Sequence, residues 1–144
     1  SIAEADARGH VAGCSVFSDA SSRDYQLRTP QWTAGKTFDD TGAFGPWLVT
    51  PEELPAGAAG LKIECRVNGT VMQSSNTGNL IFDVAKTIAL LSTFMTLEPG
   101  DVLVMGTPGG VGVARNPQVW MKAGDVCEVE IEGVGLLRNP IVAE

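Results

Sequence analysis

Side chains able to bind and polarise a substrate are concentrated in one short segment, residues 19–39. They are Asp19, Arg23, Asp24, Gln26, Lys36 and Asp39. The segment is predicted to be a strand end and a loop, and a loop can aim side chains without packing them in a core. A carboxylate, an arginine, an amide and a lysine together suit a hard cation and an anionic, oxygen-rich substrate. The alternative interpretation is a solvated loop with incidental charges.

A glycine-rich segment at residues 106–112, with the sequence GTPGGVG, is the second candidate. Its four glycines let the backbone approach a ligand closely and expose its N–H groups. A nucleotide-binding loop would need Gly-Lys-Ser/Thr, or GxGxxG at the start of a helix, and neither pattern is present. Thr107 is the polar side chain best placed to contact a substrate there. The alternative is a tight structural bend.

Composition limits the class of protein. The chain has 144 residues, of which 44% are hydrophobic and 19% are charged, enough for one domain with a hydrophobic core. Ten basic and 17 acidic residues give a net charge of −7, which argues against non-specific binding to nucleic acid or to an anionic membrane. We recognise no signal peptide and no apolar run long enough to span a bilayer.

The three cysteines, Cys14, Cys65 and Cys127, are far apart in sequence and form no CxxC pair. This pattern argues against a disulfide framework or a zinc site and favours reduced, buried thiols in a cytosolic protein. His10, the single histidine, is not expected to be catalytic. The chain starts at Ser1, without a methionine, inside a helix-like segment, so we expect that it was cut from a larger polypeptide.

Hydrophobic periodicity and turn residues predict a mainly β domain with minor α structure and one long helix. The predicted strands cover residues 11–17, 47–50, 61–67, 70–74, 102–105, 126–132 and 134–137. A capping box at Ser1 and Glu4 predicts a short helix, and an apolar stripe predicts the long helix over residues 79–95. One helical turn is expected within residues 22–27. Asn68-Gly69, between two alternating runs, predicts a type I′ hairpin.

Two similar turns, at residues 98–101 and 121–125, each end in Gly-Asp before a predicted strand. Their recurrence favours a β-meander over a solenoid repeat. Together with the predicted hairpin, they indicate that strands joined by tight turns make up most of the fold.

Several short motifs resemble, in order, the C-terminal catalytic region of the fumarylacetoacetate hydrolase family. The matching segments are residues 19–26 (DASSRDYQ), 35–39 (GKTFD), 45–50 (GPWLVT), 67–69 (VNG) with Gln73, 96–101 (TLEPGD), 106–112 (GTPGGVG) and 124–125 (GD). Each is weak alone, but together they cover nearly the whole chain. The segments GVGVARNP and LRNP most resemble the 2-hydroxyhepta-2,4-diene-1,7-dioate isomerase branch of that family.

The resemblance implies a mixed β-roll fold, a homodimer and a divalent magnesium or manganese ion. In such a site the metal chelates a 2-oxo or enol carboxylate and acts as a Lewis acid. The chemistry it implies is C–C bond hydrolysis, decarboxylation or isomerisation of these acids in aromatic or amino-acid catabolism.

The resemblance also assigns roles to individual residues. Asp19 corresponds to a metal ligand, and Lys36 to a catalytic lysine that stabilises developing enolate charge. Arg23 and Gln26 correspond to residues that hold the substrate's carboxylate or carbonyl oxygen, and Thr107 binds the substrate from the glycine-rich segment. We expect Asp39 to orient Lys36.

The sequence departs from the family pattern in one important respect. The family's remaining metal ligands are a Glu-x-Glu pair that lies upstream of the region that starts at Ser1. The family's lid, which carries a His-Glu acid–base pair, also lies upstream. Glu128-Val-Glu130 has the Glu-x-Glu spelling but lies in the predicted terminal strand. One carboxylate rarely holds magnesium alone. We therefore interpret residues 1–144 as a single but incomplete catalytic domain that carries part of a site.

Two classes of function follow. The first is a cytoplasmic, metal-dependent hydrolase or isomerase of 2-oxo acids, with acylpyruvate hydrolysis or oxaloacetate decarboxylation as the alternative reaction. The second is a non-catalytic or partner-dependent β-domain that lacks the Glu-x-Glu ligands. Neither class involves nucleic acid or a membrane.

Overall fold

Six strands form two sheets in the computed structural model, which describes residues 1–143. The strands are β1 (Cys14–Ser18), β2 (Ala43–Val49), β3 (Lys62–Val67), β4 (Thr70–Asn76), β5 (Val126–Ile131) and β6 (Gly135–Pro140). β1 and β2 form a two-stranded sheet, and the other four strands lie in the order β4-β3-β5-β6. The mainly β prediction is confirmed. The strand pairs within residues 1–143 are antiparallel, so the mixed β-roll stays a prediction.

The helices are short. The α-helices are α1 (Arg23–Gln26) and α2 (Val84–Leu91), and the 3-10 helices are Ala7–His10, Trp32–Gly35, Pro51–Glu53, Ala56–Ala58, Thr77–Asn79 and Gly112–Ala114. The helical turn expected within residues 22–27 is confirmed by α1. None of the helices in residues 1–143 has the length and apolar character needed to cross a membrane.

The turn between β3 and β4 has the predicted type I′ form. Asn68 has φ 50° and Gly69 has φ 78°, and two successive positive φ values define this turn. The Asn68 side chain also ties the hairpin to β5. Its Nδ2 donates to Asp125 Oδ1 at 2.9 Å, and its Oδ1 accepts from the Val126 N–H at 2.9 Å.

The two Gly-Asp turns are alike, as predicted. Asp101 Oδ2 accepts from the Glu98 N–H at 2.8 Å, and Asp125 Oδ2 accepts from the Lys122 N–H at 2.9 Å. The second turn leads directly into β5. The first does not lead into a strand, so the strand predicted at residues 102–105 is wrong.

Two apolar clusters lie in the interior. The larger joins both sheets and consists of Val16, Val49, Leu61, Val134 and Leu137. The smaller packs α2 against the N-terminal segment through Ala7, Ala85 and Ile88. Because β1 contributes Val16 to the larger cluster, the position of the strand's end is set by core packing.

Two helix predictions need correction. The long helix predicted over residues 79–95 covers only Val84–Leu91. Asp83 caps its start, with its Oδ1 accepting from the Lys86 N–H at 2.8 Å, and Ser92 is the C-cap residue. The N-terminal segment forms a 3-10 helix at Ala7–His10 without the Ser1 cap. The Ile2 N–H there donates to the Ser92 hydroxyl at 2.7 Å, a contact distant in sequence.

Strand limits also differ from the predicted ones. β1 begins at Cys14 rather than at residue 11, and Val11 packs against the smaller apolar cluster instead. β2 begins at Ala43 rather than at residue 47, because Ala43 and Phe44 pair with Ser18 and Phe17 of β1.

Replacing Asn68 with alanine is expected to lower the free energy of unfolding by about 2–3 kcal/mol. Two hydrogen bonds are lost, and an alanine is forced to positive φ. Urea denaturation measures the change. Asn68→Gly also removes the side chain, but glycine adopts a positive φ without strain. Its free energy of unfolding should therefore fall less than that of Asn68→Ala. An alanine variant within about 0.5 kcal/mol of the wild type would contradict this role.

The protein is expected to lose stability in acid as Asp125 is protonated. The hydrogen bonds from Asn68 and then from the Lys122 N–H lower the pKa of this carboxyl to about 2, below the value of about 3.9 in an unfolded chain. The stabilisation is therefore present above pH ~4 and is lost as the pH falls towards about 2. Urea denaturation at several pH values should give a smaller acid loss for Asp125→Asn. Equal losses in both proteins would exclude this contribution.

Candidate functional site

Asp19 and Lys36 meet at the end of β1. Asp19 directly follows β1, and Lys36 ends the 3-10 helix Trp32–Gly35. The Lys36 ammonium group donates to Asp19 Oδ2. The two side chains are 29% and 40% exposed, so solvent screens the pair and it adds little to stability. The expected partner of Lys36 was Asp39, and this is wrong, because the carboxylate paired with Lys36 is Asp19.

Gly35 holds α1 against the 3-10 helix that precedes Lys36. The Ser22 N–H donates to the Gly35 carbonyl at 2.9 Å. A Cβ atom at Gly35 would lie 2.5 Å from Gln26 Cβ and 2.7 Å from its Cα, so only glycine fits this contact. Gln26 is itself 4% exposed. The close approach brings α1, which carries Arg23 and Gln26, next to the residue that precedes Lys36.

Arg23 and Gln26 are joined directly. Arg23 Nη1 donates to Gln26 Oε1 at 2.5 Å. The guanidinium keeps other N–H donors, and the Gln26 amide keeps its NH₂ group, so both can still donate to an anionic oxygen. Four of the five predicted site residues, Asp19, Arg23, Gln26 and Lys36, therefore belong to one local unit, here called the Asp19 cluster.

The glycine-rich segment is fixed to β4. Gln73 Nε2 donates to Thr107 Oγ1 at 2.8 Å and to the Pro108 carbonyl at 2.6 Å. Gly110 has φ 107°, and a Cβ atom there would lie 2.3 Å from the Met72 carbonyl oxygen. Since Thr107 accepts from Gln73, its own O–H remains able to donate to a ligand. The segment is therefore a loop that is fixed to β4 and offers the Thr107 hydroxyl to a ligand.

Sequence reasoning did not single out Arg115, which clamps the same loop. Its Nε donates to the Gly110 carbonyl at 2.9 Å, and its Nη2 donates to the Met72 carbonyl. The only available signal was a charged residue shortly after the glycine run. The contact with Met72 spans 43 positions of sequence, and no local pattern announces it.

Two cysteines lie next to the Gln73–Thr107 pair. Cys127 Sγ lies 3.9 Å from Cys65 Sγ. Cys65 is paired with Gln73 across β3 and β4, and directly opposite residues share one face of a sheet. Because Gln73 also binds Thr107, the cysteine pair adjoins the residue that holds the glycine-rich loop.

The residues present fit a divalent cation only in part. Asp19 offers a carboxylate at a strand end, but residues 1–143 contain no group of three His, Cys, Asp or Glu side chains that could hold a metal ion. Glu128 and Glu130 are engaged elsewhere, since Arg66 binds them at 3.3 and 2.8 Å. The described residues therefore offer a hard cation one ligand among the several it needs.

Comparison with known proteins identifies relatives of this chain. Residues 1–142 match the family described as fumarylacetoacetate (FAA) hydrolase C-terminal. The chain is 48% identical over 143 residues to the mitochondrial oxaloacetate tautomerase of Xenopus laevis, covering 98% of this chain and 44% of that protein. The chain therefore spans about half the length of the curated relatives it matches.

Solved structures agree with this relationship. A fumarylacetoacetate hydrolase from Exiguobacterium antarcticum superposes with a TM-score of 0.95 at 38% identity, over 99% of this chain and 51% of that one. A 2-hydroxyhepta-2,4-diene-1,7-dioate isomerase from Mycobacterium marinum gives a TM-score of 0.87 at 37% identity, over 98% of this chain and 52% of that one. The family resemblance drawn from the motifs is confirmed.

Replacing Gly35 with alanine is expected to separate α1 from the 3-10 helix. The added Cβ overlaps the Gln26 backbone, so the free energy of unfolding should fall by about 1–3 kcal/mol. Hydrogen exchange at the amides of residues 22–27 should speed up. Gly9→Ala is the matched control, because a Cβ at Gly9 meets nothing within 4 Å. Unchanged exchange in Gly35→Ala would show that this contact does not hold α1.

Proposed function

Because this chain belongs to the fumarylacetoacetate hydrolase family, we propose that its protein transfers a proton between the enol and keto forms of a 2-oxo carboxylic acid. The observation that carries the proposal is the Asp19 cluster, in which an ammonium is paired with a carboxylate. In the same cluster a guanidinium is paired with a side-chain amide. Such a group of donors suits the oxygens of a 2-oxo acid, whose charge grows as the enolate forms.

The names of the relatives favour proton transfer over C–C bond cleavage. The Xenopus laevis relative is an oxaloacetate tautomerase, and the Mycobacterium marinum structure is an isomerase of a hydroxydiene dioate. Both names denote isomerisation of a dicarboxylic acid. Of the reactions considered from sequence, isomerisation is therefore the first candidate. Oxaloacetate, considered there as a substrate for decarboxylation, becomes a candidate for tautomerisation.

Arg23 and Gln26 are proposed to bind the substrate's carboxylate. Arginine presents its N–H groups as a planar fork that matches two carboxylate oxygens, and Gln26 is held beside it. The burial of Gln26 keeps this pair in one orientation. Thr107 is proposed to donate its O–H to a second oxygen of the substrate from the opposite side. A dicarboxylate or 2-oxo acid offers oxygens at both ends.

Lys36 is proposed to stabilise the enolate oxygen. Its ammonium is paired with Asp19 Oδ2, which orients it without burying it. A donor already in place when charge develops lowers the barrier more than one that must first reorient. Asp19 Oδ1 is left for a cation.

Magnesium or manganese is proposed as the cofactor, with Asp19 as one of its ligands. When bound, such an ion would polarise the 2-oxo group as a Lewis acid. Its remaining ligands are proposed to lie outside the described residues, in keeping with the family's Glu-x-Glu pair. A homodimer is proposed on the same family grounds. The cytoplasmic location stays a prediction, and the Xenopus laevis relative is named as mitochondrial.

A hydrolytic reaction is the second candidate. The Exiguobacterium antarcticum structure, at a TM-score of 0.95, is a fumarylacetoacetate hydrolase. Acylpyruvate hydrolysis would use the same stabilised enolate, since cleavage of the C–C bond leaves one as the leaving group. The two candidates therefore differ in whether water attacks the substrate, and not in the role of Lys36.

Replacing Asp19 with asparagine or Lys36 with methionine in the full-length protein is expected to lower kcat/KM for enol-oxaloacetate about 100- to 1,000-fold. Lys36→Met removes the ammonium proposed to stabilise the enolate, and Asp19→Asn weakens the proposed cation ligand and the partner of Lys36. The decay of enol absorbance measures the rate, with magnesium present. Lys86→Met, on the exposed side of α2, is the matched control for the loss of one lysine. Activity within a factor of two in both site variants would refute the proposed roles.

A further inference from the structure

Cys65 and Cys127 form a dithiol pair on the two central strands of the larger sheet. Their sulfurs lie 3.9 Å apart, at the limit of a thiol–thiol hydrogen bond. Both side chains are on the sheet face opposite Arg66 and its glutamates, because side chains alternate along β3 and β5. The proposed mechanism does not use either thiol. If the two cysteines served only as small hydrophobic residues, their sulfurs would not need to be neighbours.

The strand register distinguishes two ways of joining these sulfurs. Cys65 lies opposite Val129, and Cys127 lies opposite Val67, so the two cysteines are diagonal neighbours. Diagonal α-carbons in an antiparallel pair are generally about 7–8 Å apart, beyond the range of about 4.4–6.8 Å that a disulfide normally spans. Direct S–S bond formation would therefore require the strands to move.

A single atom bonded to both sulfurs meets no such obstacle. Two bonds of about 2.3 Å at an angle of about 100–110° separate their sulfurs by about 3.5–3.8 Å. The separation of 3.9 Å lies within about 0.4 Å of that span. The dithiol pair is thus spaced for chelation rather than for oxidation.

The two thiols also differ in a way that suits stepwise capture. Cys127 is 6% exposed, whereas Cys65 is only half-buried. An incoming reagent would bond first to Cys65 and then to Cys127.

We propose that Cys65 and Cys127 form a chelating site for a thiophilic centre that bonds two sulfurs at once, with trivalent arsenicals as the chemical class it takes. With an arsenic(III) oxide, two As–S bonds form while the As–O bonds and two S–H bonds break. Both thiol protons leave with the oxygen as one water molecule. No oxidant or reductant is needed, because arsenic and sulfur keep their oxidation states.

The site adjoins one proposed substrate contact, since Cys65 is paired with Gln73, which binds Thr107. Occupation would disturb the position of Gln73 and therefore of Thr107. Inhibition of catalysis would follow only if the proposed function is correct. Binding itself does not depend on that function.

Titration of the full-length protein with phenylarsine oxide tests the proposal. Intact mass should show one bound phenylarsenic group, retained in excess monothiol and removed by a dithiol such as dimercaptopropanol. Peptide mapping after alkylation should show Cys65 and Cys127 protected together. Chelation by two thiols should make the affinity for phenylarsine oxide at least about 100-fold higher than that of one thiol. Cys65→Val and Cys127→Val should therefore each bind it at least about 100-fold more weakly than the wild type.

Cys14→Val is the matched control, because it removes a thiol outside the pair, and its binding should equal that of the wild type. Retention of the adduct in Cys65→Val would overturn the site, as would alkylation of Cys65 and Cys127 in the saturated wild type. The mapping uses the wild-type protein, so it decides the matter even if a valine variant fails to fold.

Discussion

The ion pair between Lys36 and Asp19 is the contact on which the arrangement of the site depends. It joins the end of β1 to the long connection between β1 and β2, in which α1 packs against Gly35. Partial exposure makes it a weak stabilising interaction. Its importance lies in position, because it sets an ammonium beside the carboxylate proposed to bind a cation. The packing of Val16 in the larger apolar cluster fixes β1, the strand that Asp19 directly follows.

The proposed site is built from two separately folded walls. Gly35 and Gln26 lock one wall through a contact that only glycine allows, whereas Gln73 and Arg115 clamp the glycine-rich loop to β4 to form the other. Glycine's usual value in a flexible loop is conformational freedom. Here its absent side chain instead permits rigid, close packing, and rigid walls are what a preorganised site requires.

Local signals predicted the parts of the fold that are locally determined. Asn68-Gly69 specified its turn because two positive φ values suit those residues, and the Gly-Asp turns followed from their own side-chain hydrogen bonds. The helix was overestimated because periodicity records apolar spacing without recording burial. Ile81, inside the predicted stripe, is 90% exposed. Contacts between distant segments, such as that of Arg115 with Met72, had no sequence signal, and neither did the pairing of Lys36 with Asp19.

Proton exchange at the carbon next to the 2-oxo group tests the central claim most directly. The full-length protein with magnesium is incubated with oxaloacetate in D₂O, and NMR follows deuterium at C3. Reversible enolate formation predicts catalysed deuterium incorporation without loss of carbon, abolished by Lys36→Met and unaffected by Lys86→Met. Absence of exchange, or exchange that persists in Lys36→Met, would contradict the account.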